Sequence, residues 1–112
     1  MDISEAKIQS SCVTWLWNER PETRGCFFSV NNNSEHVGRA TLRKSLGLVA
    51  GVSDTFLVWG GKSYAIEFKT EKGKQSKRQE WWQGVIESHG VEYVIIRRLD
   101  EFKEFIFKVT TK

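Results

Sequence analysis

Two adjacent glycines in the middle of the chain constrain its fold more than any other feature. Gly60-Gly61 separates two β-prone runs, Ser53–Trp59 and Lys62–Lys69. A two-residue loop that accepts positive φ at both positions predicts a tight β-hairpin. With those glycines as the loop, Trp59 faces Lys62 and, counting back along both strands, Asp54 lies directly opposite Glu67. Opposed residues share a face of the sheet with Cβ atoms about 5 Å apart. Phe56, Val58 and Ala65 join the two carboxylates on that face, and Leu57, Trp59, Tyr64, Ile66 and Phe68 line the other. Both faces are apolar, which predicts a central hairpin covered on both sides. The carboxylates then sit at the strand ends, at the rim of a buried sheet.

Like charges directly opposite one another destabilise a sheet unless a cation lies between them. Lys69 points to the same face two residues beyond Glu67, and an oxygen-loving divalent ion such as Mg²⁺ or Mn²⁺ suits a carboxylate pair completed by substrate oxygens. Beside such an ion, the ammonium can hold an attacking water or steady charge on a phosphate. The plainer alternative is that Asp54 ends a strand while Glu67 and Lys69 form a surface ion pair worth under about 1 kcal/mol.

The rest of the chain supplies the frame. Ile8, Cys12, Trp15 and Leu16 recur at helical steps, so Ser4 to about Glu19 reads as a helix, N-capped by Ser4 and stopped by Pro21. Cys26–Val30 is a short β-prone run followed by the turn-forming Asn31-Asn32-Asn33-Ser34. Gly38–Leu46 suits a short helix ended by Gly47. Gln75–His89 reads as a helix with Gly90 in its left-handed cap position, Val91–Arg98 as a strand, and Asp100 as the cap of a last short helix through Lys108. A hairpin followed by strand, helix and strand implies an α/β fold, a mixed β-sheet flanked by helices. At 112 residues, 39% hydrophobic and 28% charged, the chain has the size and balance of one soluble domain, residues 1–112. No apolar run reaches the roughly 20 residues of a membrane span, and the N-terminus lacks a signal peptide's pattern, so a cytoplasmic protein is expected.

The ordered set Gly51-Val52-Ser53-Asp54, Glu67-Phe68-Lys69 and Gln79 with Trp82 three residues later resembles the virus-type replication-repair nuclease domain, VRR-NUC, a branch of the PD-(D/E)xK nucleases with the restriction-endonuclease-like fold. The approach Leu42–Gly51 is similar too, and Glu5 and Gln9 match a family Glu and a following Gln on the first helix. Ser53 stands where the motif usually has Pro, a residue that fixes backbone but supplies no ligand. The resemblance implies an αβββαβ core in a stand-alone domain of the kind phages and bacteria encode, and Mg²⁺- or Mn²⁺-dependent phosphodiester hydrolysis. It implies that Asp54 and Glu67 hold the metal, with the Phe68 carbonyl as a third ligand. Lys69 then orients the water, Glu5 assists at the metal from the first helix, and Gln79 lines the site. It also implies a small homodimer acting on branched DNA, including four-way (Holliday) junctions, as a resolvase.

Around the site, Lys69, Lys72, Lys74, Lys77 and Arg78 stand against the single acid Glu71 and lead into a helix N-terminus. They read either as a solvated loop or as a phosphate-tracking patch, with Arg39, Arg43 and Lys44 as extensions. The net charge of +3 and pI near 9.0 suit an acidic partner without identifying it. Gly73 and its like-charged neighbours predict a mobile loop. Of the adjacent Trp81 and Trp82, one is expected on the sheet and the other partly exposed. Five Trp, seven Phe and the terminal Leu99, Phe102, Phe105 and Phe107 exceed what one small core readily hides, which predicts an exposed patch for a second subunit. Cys12 and Cys26 are too few for a disulfide framework or a four-cysteine zinc site, and His36 and His89 have no partner at ligand spacing. The leading reading is a metal-dependent DNA endonuclease. The alternatives are a restriction-like or archaeal-type resolvase on the same fold, and a nucleic-acid-binding module without turnover.

Overall fold

The computed structural model describes residues 4–30 and 46–111. The Asn31–Ser34 turn, His36, Arg39, Arg43, Lys44 and all but the end of the Gly38–Leu46 helix lie outside the described residues. Helix α1 spans Glu5–Glu19 and starts where Ser4 accepts the Lys7 N–H on its hydroxyl at 3.2 Å. Its buried residues, Ile8, Cys12 and Leu16, recur every four positions and form one stripe. Pro21 opens a single 3₁₀ turn, Pro21–Thr23, which leads into strand β1, Phe27–Ser29.

Strands β2 (Thr55–Trp59) and β3 (Lys62–Phe68) form the expected hairpin, paired from Trp59↔Lys62 to Thr55↔Ile66 around Gly60 and Gly61, whose φ angles are 60° and 82°. Helix α2 (Lys77–Glu87) then carries the chain to β4 (Glu92–Ile96), and α3 (Leu99–Thr110) follows. The sheet order is β1-β2-β3-β4, antiparallel until the parallel β3–β4 pair. The α/β class and mixed sheet are as the sequence implied.

The two faces are covered by different helices. Leu57, Tyr64, Ile66 and Phe68 pack with Ile8, Cys12 and Leu16 of α1 and Phe102, Phe105 and Ile106 of α3. On the opposite face Trp82 of α2 sits on Ala65 and Tyr93, with Phe56 and Ile86 beside it. Tyr64 to Phe68 are therefore buried without a break, the signature of a strand enclosed on both sides. No helix of the described residues is long and apolar enough to cross a membrane.

Several boundaries and one patch differ from expectation. Helix α2 begins at Lys77, not Gln75, because Ser76 caps it, and it ends at Glu87 ahead of Gly90 at φ 89°. Strand β4 is shorter than Val91–Arg98. Asp100 does not cap α3; Arg98 holds that position without a side-chain bond, and Glu101 reaches back to accept the Arg97 N–H at 2.8 Å. The terminal aromatics are core: Phe102 is fully buried, Phe105 nearly so, and only Phe107 is well exposed. Trp15 and Phe27 meet Phe102 edge-on and Phe68 tilts against it, so most of the crowding that suggested a free patch goes into the chain's own core. Cys12 is buried, which pushes its thiol up to about 12 and leaves it inert.

Candidate active site

The site is built where β2 begins and β3 ends. Buried Ser53 donates its hydroxyl to the Thr55 carbonyl at 3.0 Å, so a side-chain bond constrains the backbone where the resembling motif has proline. Thr55 donates to the Ile66 carbonyl at 2.9 Å, and the Val30 N–H reaches the Asp54 carbonyl at 2.8 Å. The β2–β3 ladder ends at Thr55↔Ile66, and Asp54 is the next residue outward, tied by its carbonyl to the chain that follows β1. Its Oδ2 accepts the Phe68 N–H at 2.8 Å, which brings the carboxylate against the Phe68 main chain.

Glu67 is only 1% exposed. Its Oε2 accepts the Gln79 Nε2–H at 2.9 Å and lies 3.9 Å from the Lys69 ammonium. Its Oε1 is buried and has no hydrogen-bond partner among the described residues. A buried carboxylate oxygen left bare is costly, and native structures keep such groups where another ligand completes them. Burial, reinforced by the Asp54 charge, pushes the Glu67 carboxyl up to about 8. Burial also raises Asp54, against the opposing pull of the Phe68 N–H and Lys69. The pair therefore holds a proton where two free carboxylates would not.

Lys69 is buried too, with its ammonium donating to Gln79 Oε1 at 2.9 Å and lying 4.0 Å from Glu5 Oε2. This is not the surface ion pair of the plainer alternative. Glu5 stands in the first turn of α1, half exposed, and reaches the site through Lys69. Gln9 instead lines a groove with Val13, Trp17 and Ser29. Among the described residues no three His, Cys, Asp or Glu side chains gather as a metal cage. A hard cation needs none, since Mg²⁺ is commonly held by one or two carboxylates with waters and phosphate oxygens. The bare Glu67 Oε1 and the all-oxygen donor set fit such an ion.

Of the basic residues, Lys72 and Lys74 project from the loop after β3, and Lys77 and Arg78 from the first turn of α2, all exposed. Arg78 lies over the exposed ring of Trp81, 5.0 Å from its centre, while Trp82 is packed on the sheet. The loop after β3 is tied to the residue that follows β4. Arg97 donates from Nη1 to the carbonyls of Thr70 (2.6 Å), Gly73 (2.7 Å) and Glu71 (3.3 Å), and Gly73 N–H closes on the Thr70 carbonyl at 3.1 Å. Removing this clamp as Arg97→Ala should cost about 1–3 kcal/mol locally. Amide exchange at Gly73 is then expected to accelerate at least about tenfold while core amides keep their protection. Unchanged exchange at Gly73 would show that the loop holds its shape without Arg97.

Arg97 carries no local signal, because its partners lie 24–27 residues away and meet it only through the parallel β3–β4 pairing. Ser76 did carry one: Ser76-Lys77-Arg78-Gln79 is a capping-box pattern.

A mixed sheet lies between helices, with Asp54 just ahead of one hairpin strand and Glu67 and Lys69 at the end of the other, an α/β fold. A solved protein described as "VRR_NUC domain protein" superposes on it with a TM-score of 0.78 at 16% identity, over 97% of this chain and 89% of that one. The chain accordingly has a VRR-NUC-like fold. No protein-family model and no curated protein matches its sequence.

Proposed function

We propose that this chain is a metal-dependent endodeoxyribonuclease, and the observation that carries the proposal is the bare, buried Glu67 Oε1 beside Asp54. Asp54, Glu67 and the Phe68 carbonyl are the residues that would hold Mg²⁺ or Mn²⁺, with Glu5 assisting from α1. Such an ion supplies Lewis acidity and an activated water. Lys69, held by Gln79 and flanked by Glu67 and Glu5, orients the attacking water and offsets charge building on the phosphate. Gln79 keeps both partners in place. Lys72, Lys74, Lys77 and Arg78 track the DNA backbone, with Arg43 and Lys44 as further contacts.

The same proposal assigns a homodimer and branched DNA as substrate, because paired cuts on a two-fold junction need two sites related by a two-fold axis. The test is cleavage of duplex, flap, splayed-arm and four-way DNA across Mg²⁺ and Mn²⁺ titrations, with Asp54→Asn as control. Cleavage lost in the control supports the reading. Tight binding with no turnover in either metal would instead identify a binding module. A monomer in sedimentation equilibrium that nicks flaps and leaves junctions whole would remove the dimeric resolvase and keep the nuclease.

Exchanging Lys72, Lys74 and Lys77 together for Ser should weaken binding to every DNA alike. The slope of log affinity against log salt should flatten by up to about 0.9 per lost phosphate contact. A loss confined to one substrate shape would mean the three lysines read structure and not charge.

A further inference from the structure

Gln79 does two jobs with one side chain, and the two are linked through Ser76. As the third residue of α2 it closes the capping box: its N–H donates to Ser76 Oγ at 3.2 Å, and its Oε1 accepts the Ser76 N–H at 2.8 Å. The same Oε1 accepts from Lys69, leaving Nε2 to donate to Glu67 Oε2. An amide turned the other way would set its NH₂ against two donors and its oxygen against a carboxylate. From this geometry we infer that Ser76 is a positioning residue for the carboxylate site: its backbone N–H sets which end of the Gln79 amide faces Glu67. The inference rests on the nuclease reading for its kinetic consequence only, since the amide's orientation belongs to the free protein.

It also explains why position 79 holds Gln. A capping box is equally satisfied by Glu, but a Glu there would turn a second oxygen toward Glu67 Oε2. If Gln79 were only a cap, Gln79→Glu would be harmless.

Three variants separate the roles. Ser76→Ala removes the hydroxyl and keeps the N–H. Ser76→Pro removes both, and the φ of −74° at this position suits proline. Each loses the hydroxyl cap, so both should melt a few degrees below wild type. In metal-free protein, the Gln79 side-chain NH₂ signals should stay dispersed and slow to exchange in Ser76→Ala and collapse toward free-amide positions in Ser76→Pro. With Mg²⁺ and DNA, Ser76→Ala should keep kcat within about threefold, and Ser76→Pro should lose about tenfold or more with KM little changed. Gln79→Glu, which keeps the cap, should still fold, with some loss of stability from the oxygen facing Glu67, and lose at least as much kcat.

Unaltered Gln79 amide signals in Ser76→Pro, or wild-type kcat in Gln79→Glu, would overturn the inference while leaving the nuclease intact. Failure of wild type itself to cleave would overturn the nuclease reading, and the amide signals would still decide the role of Ser76. If Ser76→Pro does not fold, replacing the amide between Gln75 and Ser76 by an ester, which removes only the Ser76 N–H, takes its place with the same expected collapse of the Gln79 signals, and unaltered signals there overturn the inference.

Discussion

Replacing Glu67 with Gln should abolish cleavage, by a hundredfold at least, and at the same time make the metal-free protein more stable in mild alkali. The second half follows from the direction of the shift. Burial and the Asp54 charge raise the Glu67 carboxyl to about 8 in the folded chain, against about 4.3 when unfolded. Between those values the folded state holds a proton that the unfolded state has released. Its contribution is fully present below pH 4.3 and is lost as pH rises toward 8. Wild type should therefore lose on the order of a few kcal/mol across that window, each unit being about 1.4 kcal/mol. Glu67→Gln, which cannot ionise, should lack that loss, and Asp54→Asn should reduce it by removing the charge that opposes ionisation. Mn²⁺ or Mg²⁺ at pH 8 should restore wild type and leave Glu67→Gln unmoved, because ligand that binds only the folded state stabilises it. Chemical denaturation at pH 5 and 8, with and without metal, reads all of this. A stability difference identical in wild type and Glu67→Gln would mean the pair is not under strain, and turnover within about tenfold of wild type would remove the metal assignment.

The same pair shows what a sequence of this kind discloses. Hairpin register was legible because two glycines leave one loop length, and the observed pairs from Trp59↔Lys62 to Thr55↔Ile66 follow it, bringing Asp54 and Glu67 to the same end of the hairpin. Two-sided burial was legible from apolar residues on both faces. The depth of the site was not. Glu67 and Lys69 at the end of a strand look solvated until α2 and the N-terminus of α1 close over them, and neither contact is local in sequence. The terminal helix misled for the opposite reason. Its aromatics count as a surplus only if one face of the sheet is their share of core, whereas α1 and α3 together cover that face and absorb Phe102, Phe105 and Ile106. The ties of the basic loop were not legible either: Gly73 and its lysines give only composition, and the arginine that bonds the loop carbonyls arrives from the far end of β4.

Gly51→Ala should be among the most damaging single substitutions outside the site, although it adds one methyl group. Gly51 has φ 92°, a region that alanine enters at a cost of roughly 1–2 kcal/mol. The methyl would also lie 2.5 Å from the carbonyl oxygen of Arg78 and 2.7 Å from its carbonyl carbon. These are backbone atoms in the first turn of α2, so no side chain can swing aside, and overpacking adds about 1–3 kcal/mol. A melting temperature lower by on the order of 10 °C or more is expected for a domain of this size. Gly47→Ala supplies the control, because Gly47 has φ 85° and its added methyl would meet no atom of the described residues within 4 Å. It should suffer the backbone cost alone. The difference between the two variants measures how tightly the segment leading to Asp54 is seated against the helix that carries Gln79. It also bears on chemistry: pushing the first turn of α2 outward moves the Gln79 amide from Glu67 and Lys69, so Gly51→Ala should lose turnover even at temperatures where it remains folded. Equal melting temperatures for the two variants would show that α2 yields freely at its N-terminus, and that Gln79 is not held against the carboxylates by the packing of Gly51.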